Sequence, residues 1–208
     1  IVHMIDAYET TRHRYIIVLE IAPSTLRGMI RTRPVRVRRM NTTPLQQLAN
    51  GIRQMHALNV AHRDLKPDNV LAWSMGNANV HIKICDFGFA APCDGRLTTI
   101  CGTPSYMAPE LFLYKQYDGK AVDVWAFGCI LIEYMNDTIA FTAFNAQILR
   151  HKILKRKVTK TALRLPPAWS NVCKACFHPC TRRISHDDLA KQVHIAWKAH
   201  QESPKSRL

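Results

Sequence analysis

Two short stretches hold most of the side chains that could do chemistry. One is His62-Arg63-Asp64-Leu65-Lys66-Pro67-Asp68-Asn69, and the other is Asp86-Phe87-Gly88. Asn69 and Asp86 offer the hard oxygen donors that magnesium prefers. Asp64 is a carboxylate able to take up a proton, and Lys66 lies two residues beyond it. Taken singly, each has an ordinary explanation: a lone Asp is usually a surface or capping carboxylate, and a lone Asn a turn residue. Two further blocks follow in order, Gly102-Thr103-Pro104-Ser105-Tyr106-Met107-Ala108-Pro109-Glu110 and Asp123-Val124-Trp125-Ala126-Phe127-Gly128. A separate cluster, Cys173-x-x-Cys176-x-His178-x-Cys180, has the residue types of a zinc site. Zinc sites usually draw ligand pairs from two separated segments, so a buried helix face followed by a turn is the favoured reading.

These side chains need elements to position them. Ile1 to Met4 and Tyr15 to Glu20 read as strands joined by the polar stretch Asp6 to Arg14. Leu26 to Ile30 reads as a short helix. The run Arg31, Arg33, Arg36, Arg38 and Arg39 is interleaved with Thr32, Pro34, Val35 and Val37 and reads as a solvated basic loop. Thr43, Pro44 and Gln46 predict a capped helix start with a T-x-x-Q box. Leu45, Leu48, Ala49, Ile52, Met55 and Leu58 then fall on one helix face. Val70 to Trp73 and Val80 to Cys85 are short strands around the turn Ser74 to Asn79. Phe89 to Pro109 reads as loop. Ala121 to Tyr134 is apolar nearly all round and should be a central helix. Ala146 to Lys157, Trp169 to Phe177 and Asp187 to His200 are further helices, and Ser203 to Ser206 a frayed tail. The order is two strands, then mostly helices, which disfavours a doubly wound sheet.

Composition narrows the class. The chain has 208 residues, 47% of them hydrophobic, which excludes wholesale disorder. The formal net charge of +14 invites nucleic acid as a partner, but no aromatic residue interleaves the arginines to stack on bases. Seven scattered cysteines do not form a secreted disulfide framework, so an intracellular, cytoplasmic setting is expected. The longest apolar stretch, Val124 to Ile132, is short of the roughly 20 residues a bilayer needs, and no membrane partner is expected. The start at Ile1-Val2-His3, inside an apolar run, suggests a piece of something longer.

The four ordered blocks resemble the eukaryotic protein kinase family, and the resemblance runs from Ile1 to about His200. It implies a mainly α fold of the α+β class. Residues 1–22 would be a two-strand remnant of the small lobe with the hinge, 23–200 the large lobe, and 201–208 a polar tail. It implies ATP and Mg2+ as cofactors and a protein substrate with a Ser or Thr acceptor. Asp64 would receive the hydroxyl proton, Lys66 would sit by the transferring phosphate, and Asn69 and Asp86 would hold magnesium. The backbone of Glu20 and Ala22 would meet adenine, with Leu19 as gatekeeper and Leu71 as the floor. Thr103 would bridge Asp64 and Lys66. His62, Phe87 and Gly88 would be structural, and Asp123 would bond the catalytic-loop backbone. Glu110 would pair with Arg182 or Arg183, between which the sequence does not choose, because one extra residue lies between Pro179 and Ile184. Arg63 could pair with a phosphate on Thr99, whose competitor is Thr98.

Lys66 and Gly102-Thr103-Pro104 resemble the serine/threonine branch, with a lean to the basophilic AGC or calcium/calmodulin-dependent groups. Two departures stand out. His178 stands where the family usually has Asp. The family's G-x-G-x-x-G loop and V-A-I-K lysine cannot be placed in these residues, so the 208-residue chain alone is expected to turn over little. The connection Ala22 to Leu26 lacks the acidic residue that some relatives use to read basic substrates, leaving substrate preference open. A pseudokinase-like scaffold and a basic nucleic-acid-binding protein are the alternatives. Retention of Asp64, Lys66, Asn69 and Asp86 argues against the first, and the absence of any motif against the second.

Overall fold

The most apolar helix of the sequence sits at the centre of the molecule. The computed structural model describes residues 1–11, 14–75, 79–159 and 164–202, with Met75 and Asn79 described by backbone only. The expected tail Ser203 to Ser206 and the tip of the Ser74 to Asn79 turn lie outside these residues. The central helix is numbered α5 in chain order and spans Gly119–Asn136. Asp118 caps its start by accepting from Lys120 N at 2.9 Å. It ends where Asp137 turns left-handed at φ 57°. Fifteen of its residues are buried, which explains why no polar stripe marks a face. Trp125 stacks on Phe141 at 5.3 Å and meets Phe177 at 4.7 Å, forming the aromatic middle of the core.

The earlier helices are α1 (Leu26–Thr32), α2 (Val35–Met40), α3 (Thr43–Ala57) and α4 (Glu110–Leu113), and the later ones α6 (Ala146–Leu154), α7 (Pro167–Cys176) and α8 (His186–Gln201). The buried face of α3 is Leu45, Leu48, Ala49, Ile52 and Met55. It packs against α8. Leu58, expected on that face, lies beyond the helix end and is exposed. Gly128 permits the approach of α7 to α5: a Cβ there would lie 2.8 Å from Cys176 Cβ.

The strands are short. The first two, β1 (Met4–Glu9) and β2 (Tyr15–Leu19), form an antiparallel ribbon, so part of the stretch expected to be a polar connection is strand. The ribbon is exposed on both faces, Tyr15 at 77% and Ile17 at 61%. Val2 N donates to Ile84 O at 2.8 Å, tying it to the rest. The middle pair β5 (Val70–Met75) and β6 (Asn79–Ile84) gains a third strand, β3 (Ser24–Thr25), on the β5 side. The segment Phe89 to Pro109 is not all loop. It contributes β7 (Ala91–Pro92), paired with β4 (Val60–Ala61), and a 3-10 turn at Pro104–Tyr106.

Two local expectations fail for physical reasons. The start of α3 is not closed by Thr43 and Gln46. Asn41 Oδ1 accepts from Thr43 N at 3.2 Å, and Gln46 Nε2 instead meets His194 Nδ1 of α8 at 2.7 Å. The arginine run is not a solvated loop. Val35–Met40 is helical, and Arg38 is 1% exposed. Its guanidinium donates to Tyr134 O at 2.9 Å and to Ile30 O, while Arg39 donates to Met135 O at 2.7 Å. Both arginines thus reach the last carbonyls of α5, which have no partner within the helix and sit at its negative end.

Truncating Arg38 removes these bonds and leaves buried carbonyls unpaired. Arg38→Ala is expected to lower unfolding free energy by about 2–3 kcal/mol, the range for bonds to a charged donor. Urea denaturation of both forms measures it, and an unchanged midpoint would refute the capping role.

Candidate active site

The loop carrying the first chemical block is held at both ends. At its start, the β4–β7 pair joins Val60 to Pro92 and Ala61 to Ala91. At its end, Asn69 N donates to Lys66 O at 3.0 Å and closes a 3-10 turn at Pro67–Asn69. In between, Arg63 has φ 68°, a left-handed conformation that a non-glycine residue holds only where its surroundings enforce it. Asp123 of α5 supplies the enforcement. It is fully buried, its Oδ2 accepts from His62 N at 2.8 Å, and its Oδ1 accepts from Arg63 N at 2.9 Å. His56 Nε2 lies 2.8 Å from the same Oδ2.

Asp64 is the hub of the loop. It is 5% exposed and its carboxylate accepts four bonds. Thr103 N and Oγ1 reach Oδ1 at 2.8 and 2.7 Å. Lys66 Nζ and Asn69 Nδ2 reach Oδ2 at 2.7 and 3.2 Å. Lys66 Nζ also donates to Thr103 Oγ1 at 2.9 Å, so the three side chains close a triangle. Gly102 makes this approach possible. Its φ is 106°, and a Cβ there would lie 2.6 Å from Arg63 O.

The second block reaches the same region through the β5–β6 hairpin. Cys85 N donates to Asn69 O at 3.0 Å, and His62 Nε2 donates to Cys85 O at 2.9 Å. With Nδ1 of His62 accepting from Asp64 N at 3.3 Å, the ring carries its proton on Nε2. Phe87 packs 5.1 Å from the His62 ring. Asp86 is exposed at φ 62°, and its Oδ1 accepts from Gly88 N at 3.4 Å. Asn69 Nδ2 also donates to Asp64 O at 3.0 Å, which leaves its oxygen available to a ligand. An amide oxygen and the exposed Asp86 carboxylate are the hard donors that suit a cation such as magnesium.

An ordered loop of this kind, a hairpin returning a carboxylate to it, and a central helix pinning its backbone together point to one family. A model of the protein kinase domain matches residues 1–195. The chain belongs to the protein kinase family. It is 34% identical over 178 residues to the serine/threonine-protein kinase H1 homolog of Danio rerio, covering 84% of this chain and 42% of that protein. It is 33% identical over 153 residues to the cAMP-dependent protein kinase catalytic subunit 2 of Drosophila melanogaster, covering 72% of this chain and 41% of that protein. A third relative, CBL-interacting protein kinase 21 of Oryza sativa subsp. japonica, is 43% identical over 115 residues, 53% of this chain and 21% of its own length. The chain therefore spans less than half the length of the curated relatives it matches, and it lies on the serine/threonine side of the family.

The remaining kinase positions fall into two groups. In the first, side chains meet. Arg183, not Arg182, pairs with Glu110: Nη1 reaches Oε1, and Nη2 reaches Oε2 at 3.0 Å. Arg183 also donates to Ala121 O at 2.7 Å and lies over the Trp125 ring, while Arg182 is exposed. Arg63 donates to Phe89 O at 2.6 Å and to Tyr117 Oη at 3.2 Å, and Tyr117 Oη donates to Thr99 O at 2.6 Å. Thr98 and Thr99 are both exposed. In the second group the positions are open. Ile21 between Glu20 and Ala22 is 90% exposed, and Leu19 is 42% exposed. Leu71 stands opposite Lys83 in the hairpin. The Glu20 carboxylate accepts from Lys83 Nζ and from His3 N, each at 2.7 Å. The Lys83 bond holds its carboxyl below the usual carboxylate range.

Three participants escaped sequence reasoning. His56 sits on the apolar face of α3, where a histidine reads as a core residue. Tyr117 carries no motif signal. Arg27 of α1 joins Asp68 at 3.1 Å, Glu133 of α5, and Tyr106 Oη at 2.7 Å, while Tyr106 donates to Glu133 Oε2 at 2.5 Å. In the Cys173–Cys180 cluster, Cys173 and Cys176 lie on the buried face of α7, as the favoured reading expected. No three His, Cys, Asp or Glu side chains among the described residues assemble as a metal site.

Burial pushes the Tyr106 phenol up to about 12, against an ordinary value near 10. The folded state therefore keeps this proton to a higher pH than the unfolded chain does. The resulting stability is complete below about pH 10 and declines as pH rises toward 12. Denaturation midpoints should fall more steeply over that interval for the unmodified chain than for Tyr106→Phe. Parallel curves would show that the phenol makes no such contribution.

Proposed function

We propose that this chain carries the phosphoryl-transfer machinery of a serine/threonine protein kinase, moving the terminal phosphoryl group of ATP to a Ser or Thr hydroxyl of a protein. The observation that carries the reading is the Asp64–Lys66–Thr103 triangle, with Asn69 bonded to the same Asp64 carboxylate. Phosphoryl transfer needs positioning and charge neutralisation more than covalent chemistry from the protein. The hydroxyl oxygen bonds to the terminal phosphorus, the bond to the leaving ADP oxygen breaks, and the hydroxyl proton goes to Asp64. Lys66 offsets charge on the phosphoryl oxygens, and Thr103 fixes both side chains. Asn69 and Asp86 would hold magnesium, which when bound neutralises phosphate charge. The C=O of Glu20 and the N–H of Ala22 would receive the adenine edge over Leu71.

The 208 residues alone are expected to show little turnover, because no glycine loop or V-A-I-K lysine lies among them. The test is therefore radiolabelled phosphate transfer to a Ser/Thr peptide, run on this chain and on the product of the complete reading frame. In the latter, Asp64→Asn should lower kcat by about 10²–10⁴-fold, the range for losing a positioned base, with unaltered circular dichroism. Full activity in Asp64→Asn would overturn the reading.

Thr99 is the proposed regulatory site. A phosphate there would add about −1.5 to −2 charges close to Arg63, which already connects to Thr99 through Tyr117. In the same product, Thr99→Ala should reduce activity sharply and Thr98→Ala should not. Equal activity in Thr99→Ala and the unmodified enzyme would count against regulation there.

A further inference from the structure

Away from the catalytic loop, a cavity of about 360 Å³ opens between α5 and α7. Among the described residues, none of the kinase site lines it. Its wall is Ile132, Val158, Leu165, Cys173 and Phe177. Burial pushes the Cys173 thiol up to about 12, so at neutral pH it is an uncharged, weakly polar part of that wall. The volume lies in the range of small-molecule sites, which are mostly apolar with a few polar groups that fix orientation.

The polar side of the cavity is one-sided in charge. Ser170, Lys174 and His178 line it, and among the described residues no carboxylate does so. Lys174 and His178 are both exposed, so their heads stand at the water-facing mouth. The Lys174 ammonium has no hydrogen-bond partner among the described residues. His178 occupies the position where the resembled family carries Asp, so an acid that would repel anions is replaced by a group that can donate to them. An apolar interior below a cationic rim is complementary to one chemical shape.

We propose that this cavity binds a fatty carboxylate, its chain against Ile132, Cys173 and Phe177 and its head group at Lys174 and His178. The proposal is independent of the phosphoryl-transfer reading and stands whether or not the chain is active.

Dodecanoate is the probe, titrated below its micelle concentration into the 208-residue chain by calorimetry. Binding is expected at one site. Lys174→Glu, at an exposed position that cannot unfold the core, should weaken it at least tenfold, and Cys173→Phe should abolish it by filling the cavity. Dodecyltrimethylammonium, with the same chain and opposite charge, should bind at least tenfold more weakly than dodecanoate. No dodecanoate binding, equal affinity in Lys174→Glu, or equal affinity for the two amphiphiles would each overturn the proposal. If Cys173→Phe does not fold by circular dichroism, Lys174→Glu and the charge comparison decide. If it folds and binds normally, the amphiphile sits elsewhere, as on the exposed β1–β2 ribbon, and the proposal fails.

Discussion

A buried carboxylate governs the candidate active site of this molecule. Asp123 is fully enclosed, and an ionised group in that setting is tolerated only when its oxygens are hydrogen-bonded. Its partners are two backbone N–H groups of the catalytic loop and the ring of His56. The dependence runs both ways. The loop gives the carboxylate its donors, and the carboxylate holds Arg63 in a left-handed turn that the chain would not adopt unaided. That turn brings Asp64 to Lys66, Asn69 and Thr103. Asp123 in turn is fixed because α5 is packed on every side and closed at its far end by Arg38 and Arg39. Asp123 is thus one route by which rigidity passes from the core to the site, and the Arg27 link from Glu133 to Asp68 is another.

The segment between Asp86 and Glu110 is anchored unevenly. Near its start, β7 pairs with β4 and Cys93 N donates to Asn59 O at 2.6 Å. At its end, the Glu110–Arg183 pair is buried, and breaking such a pair by losing one member typically costs about 3–5 kcal/mol. Between these anchors, Thr98, Thr99 and Ile100 are exposed, with the Tyr117–Thr99 bond as a side-chain link to the body. Fixed ends with a lightly held middle are what a phosphorylation-responsive segment requires, because the added charge then needs to order only a few residues.

The sequence made some of this architecture readable and hid other parts. Elements with a strong period or an ordered motif were legible: the apolar run of α5, the α3 face from Leu45 to Met55, and the hairpin that returns Asp86. What failed were features set by contacts distant in sequence. Gln46 fits a local capping box, yet His194 of α8 takes its side chain. Arg38 and Arg39 look solvated because no acid is near them in sequence, and the α5 carbonyls they close are about a hundred residues away. The choice between Arg182 and Arg183 depended on one extra residue in a turn, which no motif could place. His56 acts through one side-chain hydrogen bond and Tyr117 through two, and neither leaves a pattern in spacing.

The arginines also change the meaning of the net charge. A formal +14 suggests a surface that seeks polyanions. Yet Arg27, Arg38, Arg39, Arg63 and Arg183 all direct their guanidinium groups inward or along the body, to carboxylates, hydroxyls and carbonyls. A planar fork of five donors suits this work, since one side chain can satisfy several acceptors that a lysine could only approach as a point charge. Arg27 is the fullest example. It joins Asp68 beside the catalytic loop to Glu133 inside α5 and to Tyr106 beyond Thr103. Removing its charge would strand a buried carboxylate and loosen three segments together. These basic residues serve as internal fasteners for a candidate active site assembled from distant parts of the chain, so their number alone is no evidence for a nucleic-acid partner.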